Sequence, residues 1–401
     1  MGERDPVLII GAGPAGLALA ACLARDGVAA IVFEAEAALP RDLRAGSFHP
    51  PTIELLAGLD LAEPFLAMGI KVPRWQLRGR HEGIIVEWDL SLLADETAYP
   101  FRFHCEQYKL TPLLHRRLLA LGGEVRFGQR FLDATQDGAG VRARLATPGG
   151  VEEVRGSWLV GADGARSAVR RTMGIDFAGF TWPERFLVVS TREDLAPRGF
   201  TPNAYVADPV DWGAVFKMPH DGPPGLWRLL VPTDPALPEE EVLNSAFAQR
   251  VLEGFGLPAA PREIAYSSTY RVHQRVAAEF RHGRFLLVGD AAHVNNPLGA
   301  FGLNGALHAA FNLAEKLAAV WQGAAPQDEI DRYVRQRRAA NVEFVQAQSI
   351  RNKELLEERD PVRRAARFAV LRDTASDPAR AREYLLRSSM IWSMRRAAAI
   401  A

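Results

Sequence analysis

A chain of 401 residues is long enough to bury a large core and to fold as more than one domain. Its 48 lysines and arginines balance 48 aspartates and glutamates, so no overall field draws it toward nucleic acid or an anionic membrane. Two lone cysteines, Cys22 and Cys105, exclude a disulfide framework and fit a reducing cytoplasm. No signal peptide or membrane span is expected, because glycines and a proline interrupt the apolar stretch at residues 7–24.

The first expected element is an apolar strand, Val7 to Ile10, followed by Gly11, Gly13 and Gly16 and a helix from Ala15 to Ala24. This is the setting of a dinucleotide fingerprint: Gly11 for the tight turn, Gly13 for backbone approach to a pyrophosphate, Gly16 for close helix–strand packing, and N–H groups of the first helical turn facing the anion. A second strand, Ala30 to Phe33, ends in Glu34, about 20 residues beyond the glycines, where a carboxylate accepts hydrogen bonds from ribose hydroxyls. From this segment alone NAD and FAD are equal readings. Alternating residues then predict a hairpin, Trp75 to Arg80 and Ile84 to Asp89, followed by a helix from Leu110 to Leu121. A second glycine segment, Gly161-Ala-Asp163-Gly164, follows the apolar Leu159-Val160 and opens a helix. Strands are expected at Phe186 to Val189, Asp211 to Phe216 and Leu226 to Val231, completing an antiparallel sheet that walls a pocket. A third segment, Gly289-Asp290-Ala-Ala-His293, ends the strand Phe285 to Val288, and a helical tail runs from Asp328. Aspartates such as Asp163 and Asp290 at the carboxyl ends of strands stand where open α/β sheets bind ligands, and Asp290 suits a ribitol hydroxyl.

With the three glycine segments in this order, the chain resembles the single-component class A flavoprotein monooxygenases typified by para-hydroxybenzoate hydroxylase. The resemblance covers nearly the whole chain. It extends to Arg44-Ala-Gly-Ser47, similar to that family's arginine contact to the FAD pyrophosphate, and to Glu106-Gln107, similar to its flavin-contacting glutamine at a helix start. It extends also to Pro297-Leu-Gly299-Ala-Phe-Gly302-Leu303-Asn304-Gly305, similar to its loop under the isoalloxazine ring. One departure is Ala309-Ala310, where the family often carries Asp-Ala before the residues seen here as Asn312-Leu313.

The resemblance implies an α/β fold: a Rossmann-like, discontinuous FAD-binding domain (residues 1–72, 100–180 and 273–325) interleaved with an α+β substrate domain containing an antiparallel sheet (73–99 and 181–272), then C-terminal helices (326–401). It implies non-covalent FAD, NADH or NADPH as a transient co-substrate, and hydroxylation of a phenolic, heteroaromatic or fused-ring substrate with dioxygen through a flavin hydroperoxide. Gly302, Leu303 and Asn304, at a helix start, suit the negative charge of reduced flavin. The Pro297 carbonyl is the expected acceptor from a substrate hydroxyl. His49, His104, Tyr270 and His273 are candidates to line the cavity or act as a base, and Tyr205, Trp75, Trp212 and Trp227 to meet the substrate ring, although each has a structural reading beside the functional one. A reductase, a halogenase and a non-catalytic flavin-holding protein share the cofactor site and are the competing readings. A monomer or homodimer is expected, and the thioredoxin-like domain of some larger relatives is not seen.

Overall fold

The computed structural model describes residues 4–41 and 46–401, so Arg44 lies outside the described residues. Its first sheet has six strands in the order Arg281–His282, Phe285–Leu287, Trp158–Gly161, Val7–Ile10, Ala30–Phe33 and Glu124–Arg126. All neighbours are parallel except the outer Arg281–Leu287 pair. The central strands are continuous apolar runs because helices and the strand Val141–Thr147, with its neighbours, pack on the sheet, leaving no wet face to demand alternation. The helix Pro14–Arg25 buries Ala15 through Leu23 and packs against the long helix Phe301–Gln322.

A second sheet has eight strands, ordered His293–Val294, Tyr266–Ala277, Phe177–Thr191, Leu226–Thr233, Gly213–Met218, Asn203–Ala207, Arg74–Gly79 and Gly83–Asp89. It is antiparallel except where Arg74–Gly79 lies parallel to Asn203–Ala207. The hairpin is as expected. Trp212 precedes its strand instead of lying in it, and Phe177–Thr191 and Tyr266–Ala277 are far longer than their apolar cores suggest. Between the two sheets sits a small one, with Arg102–His104 flanked by Ser47–Phe48 and Ile70–Val72. A meander of Arg130–Gln136, Val141–Thr147 and Gly150–Gly156 was not legible in the sequence.

The C-terminal helices are part of the core. Leu356, Phe368, Ala381, Leu385 and Ile391 bury themselves with Trp75, Trp88 and Tyr205 against the second sheet. The Tyr333 hydroxyl donates to the Leu287 carbonyl at 2.6 Å, tying the same region to the first sheet. Arg382 holds Asp95 at 2.8 Å and also pairs with Glu96, fixing the helix Pro378–Ser388 over the hairpin. Among the described residues no helix is long and apolar enough to cross a membrane.

Candidate active site

The three glycine segments converge. Gly11 has φ +106°, and a Cβ there would stand 2.6 Å from the Ala162 carbonyl oxygen, so the first and second segments touch backbone to backbone. Gly16 is equally constrained, since a Cβ would lie 2.0 Å from the Gly11 carbonyl oxygen. Gly289, with φ +64°, turns where a Cβ would come within 3.2 Å of Ala15 and 3.3 Å of Ala306, bringing the third segment against both covering helices. Gly13 is different: a Cβ there would meet nothing within 4 Å among the described residues. That open space at the start of Pro14–Arg25, flanked by helical N–H groups, fits a dinucleotide pyrophosphate.

The acids around this cradle divide by what they hold. Glu34 accepts from the Ala12 N–H at 2.8 Å through Oε2 and from the Glu36 N–H at 3.0 Å through Oε1, bracing the glycine loop while its remaining lone pairs stay available to ribose hydroxyls. Asp163 Oδ2 accepts from Ala168 and Val169 N–H groups at 2.7 and 3.1 Å, capping the turn after the second segment. Its Oδ1 is buried without a partner among the described residues, and burial raises its pKa. Asp290 is exposed in the turn Gly289–Ala291. Gln107 opens the helix Gln107–Ala120, half-buried, behind a buried Glu106 whose Oε1 accepts from the His220 N–H at 2.8 Å.

The loop from Pro297 to Asn304 is fastened from both sides. Gly299 (φ +104°) and Ala300 (φ +59°) turn the chain into Phe301–Gln322. The Gly299 N–H donates to the Tyr205 hydroxyl at 3.1 Å, and the Gly299 carbonyl accepts from His49 Nε2 at 2.8 Å. One residue, through the peptide groups on either side of it, is thus held between the second sheet and the dinucleotide half. The Pro297 carbonyl accepts from the Ala300 N–H at 2.9 Å, which leaves its second lone pair uncommitted among the described residues. Asn304 is fully buried: its Oδ1 accepts from His49 N–H (2.9 Å) and Thr52 O–H (2.6 Å), and its Nδ2 donates to Ser47 and Ala300 carbonyls (2.9 and 2.6 Å). Its side chain is therefore a lock, and what remains for a cofactor is the backbone of the first helical turn, including Gly302 and Leu303.

Aromatic residues form the facing wall. Trp75 packs on Trp88, Tyr205 and Tyr384, at ring distances of 6.0, 5.8 and 6.2 Å, and Tyr205 also meets Phe216 at 6.1 Å. Trp212 shares this core, edge-on to Phe186. Trp227 does not: it belongs to the cluster on the other face of the sheet, with its indole N–H donating to Asp194 at 2.9 Å. Tyr270 is 38% exposed and stacks on Phe186. His273 pairs with Thr181 at 2.8 Å, and lies between Val272 and Gln274 in a strand, hence on the face away from their buried side chains. His49 lies under the loop, where burial drives its pKa down to about 3, and His104, bonded to the Lys217 carbonyl at 3.0 Å, is lowered to about 4 for the same reason. Both rings are neutral near pH 7.

A family model described as FAD binding domain matches residues 4–348. The chain belongs to this FAD-binding family. Over 96% of its length it is 35% identical to para-nitrophenol 4-monooxygenase of Pseudomonas sp., covering 96% of that protein. It is 34% identical to 6-hydroxy-3-succinoylpyridine 3-monooxygenase of Pseudomonas putida, over 86% of this chain and 87% of the relative. The crystal structure of p-nitrophenol 4-monooxygenase PnpA from Pseudomonas putida DLL-E4 superposes with a TM-score of 0.90 at 33% identity, covering 98% of this chain and 99% of that one. The protein is an FAD-dependent aromatic hydroxylase with the expected fold.

Several residues that tie these segments of the hydroxylase together carried no separate sequence signal. Arg170 donates to the Ala291 carbonyl (2.7 Å) and the Ala165 carbonyl (2.8 Å), stapling the second glycine segment to the third. Gln274 donates to Gln346 (2.6 Å) and Ser349 (3.0 Å) and accepts from the Asn296 N–H (3.0 Å), joining the loop's approach to a C-terminal helix. Tyr384 stacks on Trp88 at 4.0 Å from within the apparent tail. Arg102 is buried with its guanidinium carbon 4.5 Å over the Trp75 ring. A charged residue between Phe101 and Phe103 was its only trace in the sequence.

Proposed function

We propose that this hydroxylase inserts one oxygen atom of dioxygen into the ring of a small phenol, with NADH or NADPH as a visiting two-electron donor and the second oxygen leaving as water. The observation that carries the reading is the double hold on Gly299, whose bond to Tyr205 sets the aromatic wall of Tyr205 and Trp75 against the loop expected beneath the flavin ring. Bound FAD supplies the redox chemistry with the nicotinamide and dioxygen. The chain supplies the rest. Gly13, Glu34 and Asp290 hold the dinucleotide, together with Arg44, and the first turn of Phe301–Gln322 faces the charge that reduction creates. The Pro297 carbonyl orients the substrate hydroxyl, and the apolar wall excludes water that would divert the oxidant. Neutral His49 serves as a positioning residue for Gly299. The match to nitrophenol and hydroxypyridine hydroxylases over nearly their full lengths supports a single small ring as substrate. The two buried, free cysteines support a cytoplasmic setting, as a monomer or homodimer.

The test is anaerobic stopped-flow reduction of the purified yellow protein by NADH and by NADPH, with and without 4-nitrophenol and other small phenols, followed by product analysis in air. Substrate-accelerated reduction with a ring-oxygenated product is expected. Fast reduction that ignores every phenol, or oxygen consumption yielding only hydrogen peroxide, would overturn the assignment.

A further inference from the structure

We propose that Arg102 recognises the substrate as an oxyanion, so that the pocket selects a phenol in its phenolate form. The proposal rests on the reading of this site as an aromatic hydroxylase pocket. Arg102 stands in the central strand of the small sheet between the two halves, opposite Val72, and is 2% exposed. Its Nε and Nη1 atoms are buried and have no hydrogen-bond partner among the described residues, and none of the described carboxylates forms an ion pair with it. A buried cation without an anion is a strongly unfavourable arrangement unless something negative joins it.

The surroundings indicate what that partner is. The guanidinium lies over the Trp75 ring, and the groups bearing on its charge are Tyr205 from the strand Asn203–Ala207 and Tyr384 from the helix Pro378–Ser388. The other titratable groups around it are His49 and His104, both neutral through burial, with Arg228 bearing in turn on His104. The buried Glu106 bears on Arg228, but among the described residues no carboxylate bears on Arg102, whose surroundings are neutral rings and hydroxyls. Tyr205 also carries the Gly299 N–H, so the unpaired cation is one side chain away from the loop under the flavin. An aromatic ring with an oxygen anion matches the whole set: its face meets Trp75 and Tyr205, and its charge meets Arg102. Phenolate is also the electron-rich form that attacks an electrophilic oxygen, so recognition and activation coincide without a protein base.

The experiment uses FAD-loaded protein and 4-nitrophenol, whose phenolate alone is strongly yellow, titrated across the free phenol's own pKa. With the parent protein the phenolate band is expected to persist in the complex below that pKa. In Arg102→Met the apparent pKa of the bound phenol rises by about one unit or more and phenolate affinity falls on the order of tenfold to a hundredfold. Uncharged phenol binds within about twofold of parent, and Arg102→Lys keeps part of the effect, since charge without the planar fork is retained. Equal losses for both ligands, or an unchanged band in Arg102→Met at equal flavin content, would sink the proposal. Loss of flavin from Arg102→Met and Arg102→Lys alike would reassign the residue to the cofactor. If Arg102→Met fails to fold, the parent decides alone: tighter binding as the phenol becomes protonated overturns phenolate selection. Because binding is read without turnover, absence of a hydroxylated product would defeat the functional assignment while leaving this result standing.

Discussion

Two glycines three residues apart, Gly13 before the helix Pro14–Arg25 and Gly16 in its first turn, answer to different constraints, and substitution separates them. Gly13 faces open space and has an ordinary extended backbone, so Gly13→Val is expected to fold with a thermal midpoint like that of flavin-free parent, yet to be purified colourless because the new side chain fills the pyrophosphate's place. Gly16→Ala places a carbon against the Gly11 carbonyl and is expected to give little soluble protein. A yellow Gly13→Val, or a well-folded Gly16→Ala, would refute the respective role; absorbance at the flavin band and soluble yield read both. The contrast was readable in the fingerprint, because each glycine's task follows from the strand–turn–helix plan. The role of Trp227 was not. In Leu226-Trp227-Arg228-Leu229-Leu230 both faces of the strand are largely apolar, so alternation gave no sign of which side meets the pocket, and the tryptophan lies on the far one.

Among elements, the decisive links are those that join segments remote in sequence. Arg170 ties Ala165 to Ala291 with two hydrogen bonds across a span that no local pattern announces. Arg170→Met removes both and leaves two carbonyls without their donor. A loss of about 3 kcal/mol in urea unfolding is expected, with FAD affinity weakened by about tenfold or more, as two hydrogen bonds to a charged group would give. Unchanged FAD titration of a variant with native circular dichroism would show that the two glycine segments hold their relation without the staple. Partner choice explains what else was missed. Alternation fixed the faces of Arg74–Gly79, but its parallel neighbour Asn203–Ala207 comes from a region where Pro202 and Gly213 frame a short run that propensity alone leaves ambiguous.

For the molecule as a whole, buried histidines set the acid limit. His49 and His293 are lowered to about 3, His104 to about 4, and His308 well below its ordinary 6.5, all principally by burial. Each is neutral when folded and binds a proton more readily when unfolded, so the stability tied to it is complete above about pH 6.5 and is lost as pH falls toward the folded value. Each contributes a slope of up to about 1.4 kcal/mol per pH unit within that window. Asp163, raised by burial, acts with the opposite sign and offsets part of it. Urea midpoints are expected to fall steadily from about pH 6.5 to pH 4, before most carboxylates titrate. A flat profile over that interval would mean that these rings are already protonated in the folded protein.

The closing of both sheets by late residues has a consequence for synthesis. Val7–Ile10 finds its neighbour Trp158–Gly161 only after Ala30–Phe33 and Glu124–Arg126 have been made, and Phe285–Leu287 must still join that neighbour. Tyr333 then anchors Leu287, and Leu385 and Ile391 complete the aromatic wall last. A nascent chain therefore completes its glycine cradle only once Tyr333 has been made, and its aromatic wall only once Ile391 has followed.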